Sequence, residues 1–112
     1  MKMFTKALEA KLQKAFGTYS TDEDPMILGK IFNPYGGQTW YLMNQDPEDP
    51  EYLWGVAILF ADIGPEMGGM PSKTEFETTT VPPFNGNLER DKYFTPMKYS
   101  ELMAKLNAGT HV

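Results

Sequence analysis

The chain predicts an α+β domain. Three observations carry this. An apolar stripe repeats every four residues near the N-terminus, apolar runs broken by Gly, Pro and Asn fill the middle, and a capped amphipathic stretch lies near the end. We expect about four strands in one antiparallel or mixed sheet, flanked by an N-terminal and a C-terminal helix. The 112 residues suffice for one compact domain and are too few for two, so residues 1–112 are read as a single domain.

Phe4, Leu8, Leu12 and Phe16, with Ala7 and Ala15 beside them, form the first stripe. Thr5 is the expected N-cap and Gly17 the expected stop. Lys11 and Lys14 suit the negative end of the helix dipole, and the basic face reads as solvated. Residues 18–25 are a polar connection. Asp22, Glu23 and Asp24 are calcium ligands by type, but the oxygen spacing and central glycine of a calcium loop are missing.

Met26 to Asn33 and Gln38 to Asn44 read as strands joined through Asn33-Pro34-Tyr35-Gly36-Gly37, a hairpin signal. Alternation puts Trp40 and Leu42 on one face and Tyr41 and Met43 on the other. Residues 45–51 form an acidic loop pinned by Pro47 and Pro50. Tyr52 to Ala61 is nearly all apolar and predicts a central strand covered on both faces; Gly55 is where a neighbour can approach the backbone closely.

Asp62 to Met70 is turn-rich. Ser72-Lys73-Thr74-Glu75 has capping-box spacing and predicts a short helix, while Thr78-Thr79-Thr80-Val81 favours extended chain, so residues 72–80 stay open between helix and strand with the helix ranked first. Residues 81–87 read as loop and Leu88 to Phe94 as a last strand or extended segment. Ser100 is the expected cap of a helix carrying Leu102, Met103 and Leu106 and closed by Gly109, after which the chain should fray.

Composition removes several chemistries. There is no cysteine, and the single histidine is His111, so thiolate sites, histidine triads and multi-histidine metal sites are excluded. No phosphate-gripping glycine motif and no nucleophile elbow occurs. No cofactor and no metal is expected. No apolar run reaches membrane-span length, and the first residues lack a signal core, so a cytoplasmic protein without membrane association is expected.

The net charge of −5 is uneven. Residues 17–97 hold thirteen acids against four basic side chains. Such a body repels phosphate backbones, so direct nucleic-acid binding is not expected. The acidity reads either as solubility or as a surface that docks a basic partner or mimics nucleic acid. In the latter case Asp46, Glu48, Asp49 and Glu51 should line one exposed face. Glu75 and Glu77, on either side of Phe76, read as solvated acids.

Aromatic side chains are 13% of the chain. Trp40, Tyr41, Tyr52 and Trp54 fall on two adjacent predicted strands, as core or as the wall of a ligand pocket. Arg90 is the sole arginine and stands between Glu89 and Asp91. In extended chain it points away from both. It is then either a clamp onto acids or carbonyls elsewhere in the fold, or an anion-binding group facing a pocket.

Several strings occur together in order: Lys30-Ile31-Phe32-Asn33-Pro34, Thr39-Trp40, Asp46-Pro47-Glu48-Asp49-Pro50, Pro65-Glu66-Met67-Gly68 and Glu89-Arg90-Asp91 with Phe94. In these the chain resembles the bacterial family catalogued as domain of unknown function 2958, over roughly residues 3–103. It departs at residues 69–76, where members often carry a Gly-Tyr start and leucines. The resemblance implies small proteins of plasmids, integrative elements and phages that travel with conjugation and antirestriction genes, and it implies no activity. The expected function is that of a non-enzymatic accessory protein of a mobile element, binding a host or element protein, with anti-defence as one form of it. The alternative is a small-molecule binder holding a nucleotide-like ligand in an aromatic pocket near Trp40 and Trp54. A third reading is an enzyme using carboxylates and Tyr.

Overall fold

Thr5 accepts the Leu8 amide N–H at 3.2 Å and so starts α1 (Lys6–Lys14). The computed structural model describes residues 3–17, 24–60, 62–110 and 112. The polar connection at 18–23 and His111 lie outside the described residues. After α1 come β1 (Met26–Ile27), β2 (Gly29–Phe32), β3 (Thr39–Gln45), β4 (Leu53–Ile58), β5 (Glu66–Gly69) and α2 (Lys73–Thr78). They are followed by β6 (Thr80–Val81), β7 (Gly86–Asn87), β8 (Glu89–Arg90), β9 (Met97–Lys98) and α3 (Tyr99–Asn107).

The central sheet has five strands in the order β5-β4-β3-β2-β8, every pair antiparallel, rather than about four. The extra strand is β5. Its glycines lack the β-propensity that marks strands in a sequence, and backbone pairing with β4 supplies the order instead, Gly68 lying opposite Gly55. The ladders β1–β9 and β6–β7 stand apart from this sheet. The first splits the expected Met26–Asn33 strand, and the second makes a hairpin of part of the expected loop.

Side-chain alternation divides the core in two. Trp40, Leu42 and Leu53 face α1 and pack with Phe4, Leu8, Leu12, Phe76 and Leu88. Tyr41, Met43 and Val56 face the other way and pack with Ile27, Met97 and Leu102. The N-terminal and C-terminal helices thus cover opposite faces of the sheet. Phe16 is a correction to the stripe: α1 ends at Lys14, and Phe16 stands 41% exposed beyond it.

Between Leu42 and Asn44 the register of β3 against β4 shifts. Such a bulge puts an extra residue in one strand and shifts that strand's own alternation beyond it. It brings Gln45, fully buried, to the α1 face. There Gln45 donates to Glu9 Oε2 at 3.0 Å and to the Pro50 carbonyl at 2.6 Å, and accepts from Gln13 at 2.9 Å. Glu9 also pairs with Lys73 at 3.0 Å, so one polar network joins α1, β3, the acidic loop and α2.

Residues 72–80 resolve as a short helix followed by a strand. Ser72 and Glu75 make the reciprocal capping box, and Thr80 then enters β6. Glu77 is not a freely solvated acid: its Oε2 accepts the backbone N–H groups of Met3 and Phe4 at 3.0 and 3.4 Å.

Two more carboxylates cap helices from a distance. Glu51 accepts the Thr74 amide at 2.8 Å and the Thr74 hydroxyl at 2.9 Å. Asp24, rather than Ser100, completes the start of α3. It accepts the Ser100 hydroxyl at 2.6 Å and the Ser100 amide at 2.8 Å, while the N-cap residue, Lys98, makes no side-chain cap bond. The hydrogen bonds from Ser100 hold Asp24 below its ordinary value of 3.8, and those from Thr74 hold Glu51 below 4.5. A lowered native pKa means stability that is complete above those values and is lost as pH falls through the lowered ones. Between pH 5 and about 2, urea midpoints of Asp24→Asn and Glu51→Gln should therefore fall less steeply than the parent's. Parallel slopes would show that these bonds contribute nothing.

α3 is closed just past its C-cap Ala108 by Gly109, whose φ of +78° suits glycine, and the Thr110 amide bonds back to the Lys105 carbonyl at 2.9 Å. The fraying expected after Gly109 is not what Val112 shows: its main-chain oxygen accepts from Lys30 Nζ and, at 3.2 Å, from the Tyr41 hydroxyl.

Candidate functional site

On the α3 side of the sheet the helix does not reach β2 and β8, and a cleft of about 820 Å³ remains there. Its floor is Lys30 and Phe32 of β2, Thr39 and Tyr41 of β3 and Ile58 of β4. These share one face because residues two apart along a strand do, and because β2 and β3 pair Lys30 with Tyr41 and Phe32 with Thr39. Leu106 and Val112 wall it on one side, and the loop after β8 on the other.

Lys30 is the unusual group. It is only 6% exposed, and its ammonium lies 5.6 Å from the Phe32 ring centre. Among the described residues no Asp or Glu lies within ion-pair distance of it; the Lys–Glu pairs present are Lys73–Glu9 and Lys105–Glu101. Burial pushes the Tyr41 phenol above its ordinary value, so the hydroxyl stays protonated and acts as a donor. Two donors thus converge on one oxygen, the main-chain oxygen of Val112, which satisfies their hydrogen bonds.

The Glu89-Arg90-Asp91 triplet borders the cleft with divided roles. β8 pairs Arg90 with Ile31, a residue of the α1-side core, so the Arg90 side chain leaves toward that face. Its guanidinium donates to the Met3 carbonyl at 3.4 Å, and among the described residues its buried Nε has no partner. Arg90 is therefore a clamp on the N-terminal segment. Glu89 and Asp91 keep to the cleft side. The strand expected over Leu88–Phe94 stops at Arg90 because Asp91 turns the chain, its carboxylate accepting the Tyr93 amide at 2.9 Å. Arg90→Lys keeps the charge but loses the fork and should cost about 1–2 kcal/mol in denaturant unfolding. A mutant as stable as the parent would remove the clamp.

The other candidates are dispersed. Trp40 is 8% exposed and packs edge-on against Phe76, ring centres 5.4 Å apart. Trp54 is half-buried on the opposite face with Val56 and Met67. The two indoles therefore share no pocket, because β4 pairs Ala57, not Trp54, with Trp40. Tyr52 precedes β4, is exposed, and closes the acidic loop through the Asp46 amide. In that loop Asp46 accepts the Glu48 amide at 2.8 Å and Glu51 is spent on α2, which leaves Glu48 and Asp49 as the open acids.

Sequence reasoning missed Lys30 and took Tyr41 only as one of four aromatics that form either core or a pocket wall. The Lys-x-Phe pattern of β2 was the available signal: it sets a cation beside an aromatic on one strand face. Among the described residues no group of three or more His, Asp or Glu could hold a metal ion, and no helix is long and apolar enough to cross a membrane.

No curated protein and no solved structure matches the chain. A family model described as "Protein of unknown function (DUF2958)" matches residues 3–108, which take in both core faces, the clamp and all but the tail of the cleft. The chain belongs to the DUF2958 family.

Proposed function

We propose that the protein works by binding, and that its ligand is a small anion held in the cleft over β2 and β3. The observation that carries this is Lys30: an ammonium nine-tenths buried, in the floor of a cleft of ligand size, with the Tyr41 hydroxyl directed at the same oxygen. Buried charges are ordinarily paired, and two donors that meet at one point suit an anionic oxygen. Small ligands commonly occupy clefts of about 300–1,000 Å³. This relocates the small-molecule reading from the tryptophans to Lys30 and Tyr41. Thermal melts with a panel of organic anions and their neutral analogues test it. At a hundredfold excess over Kd a ligand adds about 2.7 kcal/mol, and the parent's midpoint should rise with anions only, while that of Lys30→Met should not move. Equal shifts in both proteins would contradict the reading.

A second reading is an accessory protein of a mobile element that acts on a host or element protein, with anti-defence as its role. It is supported by the family context and by a second surface. Leu59, Phe60 and Ile63 stand 46%, 60% and 60% exposed beside β5, an edge strand of the sheet. Exposed apolar side chains next to an open edge mark contact surfaces. One pair of variants separates the readings. Lys30→Met abolishes ligand stabilisation and spares partner capture, and Phe60→Ser does the reverse.

A further inference from the structure

On the premise that the protein acts on a partner, as in the second reading above, the open edge of the sheet says how. We infer that β5 is completed by an extended, basic segment of that partner, which adds a sixth strand and sets one apolar side chain between Phe60, Ile63 and Met67.

The backbone comes first. β5 ends the strand order, so no strand among the described residues meets its outer side. The Met70 amide donates to the Leu53 carbonyl at 3.1 Å, one step beyond the Trp54–Gly69 pair. Alternate residues of an antiparallel strand share that direction, so Gly68 and Glu66 also bond toward β4, and Met67 and Gly69 turn their N–H and C=O groups outward. An added strand uses such groups. The edge also lets a neighbour come close. A Cβ on Gly68 would meet nothing within 4 Å, and one on Gly69 only the Tyr52 hydroxyl at 3.9 Å.

The side chains choose the occupant. A hollow of about 230 Å³ lies against this edge, walled by Leu59, Phe60, Ile63 and Met67, and Glu66 is the one charged residue that lines it. Exposed Asp62 adjoins it. At the other end Tyr52 reaches Gly69 and brings the acidic loop, with its open Glu48 and Asp49, to the end of the strand. The nearest lysine in sequence, Lys73, is paired with Glu9. Both ends of the edge are thus acidic around an apolar centre, which matches a segment with apolar residues in its middle and Lys or Arg on either side. A second copy of this chain, itself of net charge −5, would bring acids to the same acids.

Selection of a random decapeptide library on the full chain, followed by fluorescence anisotropy of the synthetic winners, tests this. The winners should carry alternating apolar residues flanked by Lys or Arg. N-methylation of alternate peptide amides should weaken binding at least about tenfold in one phase of the alternation and hardly at all in the other, because only one set of amides faces β5. Glu66→Lys and high salt should each weaken binding at least about fivefold, Phe60→Ser at least about tenfold, and Lys30→Met should leave it unchanged. Circular dichroism melts establish that each variant folds, and the N-methylated peptides test the edge with the protein unaltered. Equal loss in both phases would overturn strand addition. Winners without basic residues, or binding indifferent to salt and to Glu66→Lys, would overturn the basic partner. A parent dimer that Phe60→Ser dissolves would give the edge to a second copy and overturn the inference. If no peptide is selected while Phe60→Ser abolishes capture of a host protein, strand addition falls and the partner reading stands; if the parent captures nothing either, both fall.

Discussion

Gly55→Ala should cost at least about 4 kcal/mol, a large share of the about 5–15 kcal/mol that holds a domain folded. Gly55 lies in the middle of β4, opposite Leu42 on one side and Gly68 on the other. The bulge in β3 brings the Tyr41 carbonyl oxygen in so far that a Cβ on residue 55 would sit 2.0 Å from it, with the Tyr41 carbon at 3.1 Å and the Met43 nitrogen at 3.2 Å. All three are backbone atoms in the densest part of the sheet, so no rotamer change relieves the clash. The strand must move and take the register of β3 with it. Gly68→Ala is the control, since a Cβ there meets nothing within 4 Å. It should change stability by less than about 1 kcal/mol, the span of β-propensity itself. Equal melting temperatures for the two alanine variants would contradict the account of the bulge.

The second large effect is Phe76→Ala, at about 3–5 kcal/mol. Phe76 is fully buried although it belongs to a helix of six residues. Its ring lies 6.2 Å from that of Phe4 and 5.4 Å from that of Trp40. It therefore locks three separate segments together: the N-terminal segment, β3 and α2. A helix this short has little intrinsic stability, so α2 is held by this side chain, by the Ser72–Glu75 box and by Glu51. Truncation leaves a cavity that Phe4 and Trp40 cannot fill, because both are fixed by their own elements. Phe84→Ala, at a position 76% exposed, should stay within about 0.5 kcal/mol. Urea midpoints of the two variants decide the matter.

Much of the fold was legible because it rests on local signals. The four-residue stripe and Thr5 place α1, the Asn33–Gly37 turn places the β2–β3 hairpin, Ser72 and Glu75 place α2, and Gly55 marks the close approach of β3. What could not be read is set by partners distant in sequence. Strand β5 carries no propensity of its own and exists because β4 offers it a ladder. The cap of α3 comes from Asp24, 76 residues upstream of Ser100. The faces of Trp40 and Trp54 depend on which residue of β4 meets which of β3, and a shift of one position reverses them. The cleft was hidden for the same reason. Lys30 and Val112 are unremarkable in sequence and Tyr41 is one aromatic among several, and only the pairing of β2 with β3 and the return of the chain after Gly109 bring them together. Arg90 drew attention as the sole arginine, and its alternation with Glu89 and Asp91 was read correctly. The structure adds that its partner is a main-chain carbonyl on the face away from the cleft.

The central claim is that Lys30 and Tyr41 form the floor of a ligand site. Amide chemical-shift mapping of the full chain, during titration with the organic anion that raises its melting temperature most, is the most direct test. The account predicts saturable shifts concentrated at Lys30, Phe32, Thr39, Tyr41, Asp91 and Val112, with the amides of β5 and of the exposed Leu59–Ile63 stretch unmoved. Shifts confined to β5 and that stretch, or spread evenly over the surface, would contradict it.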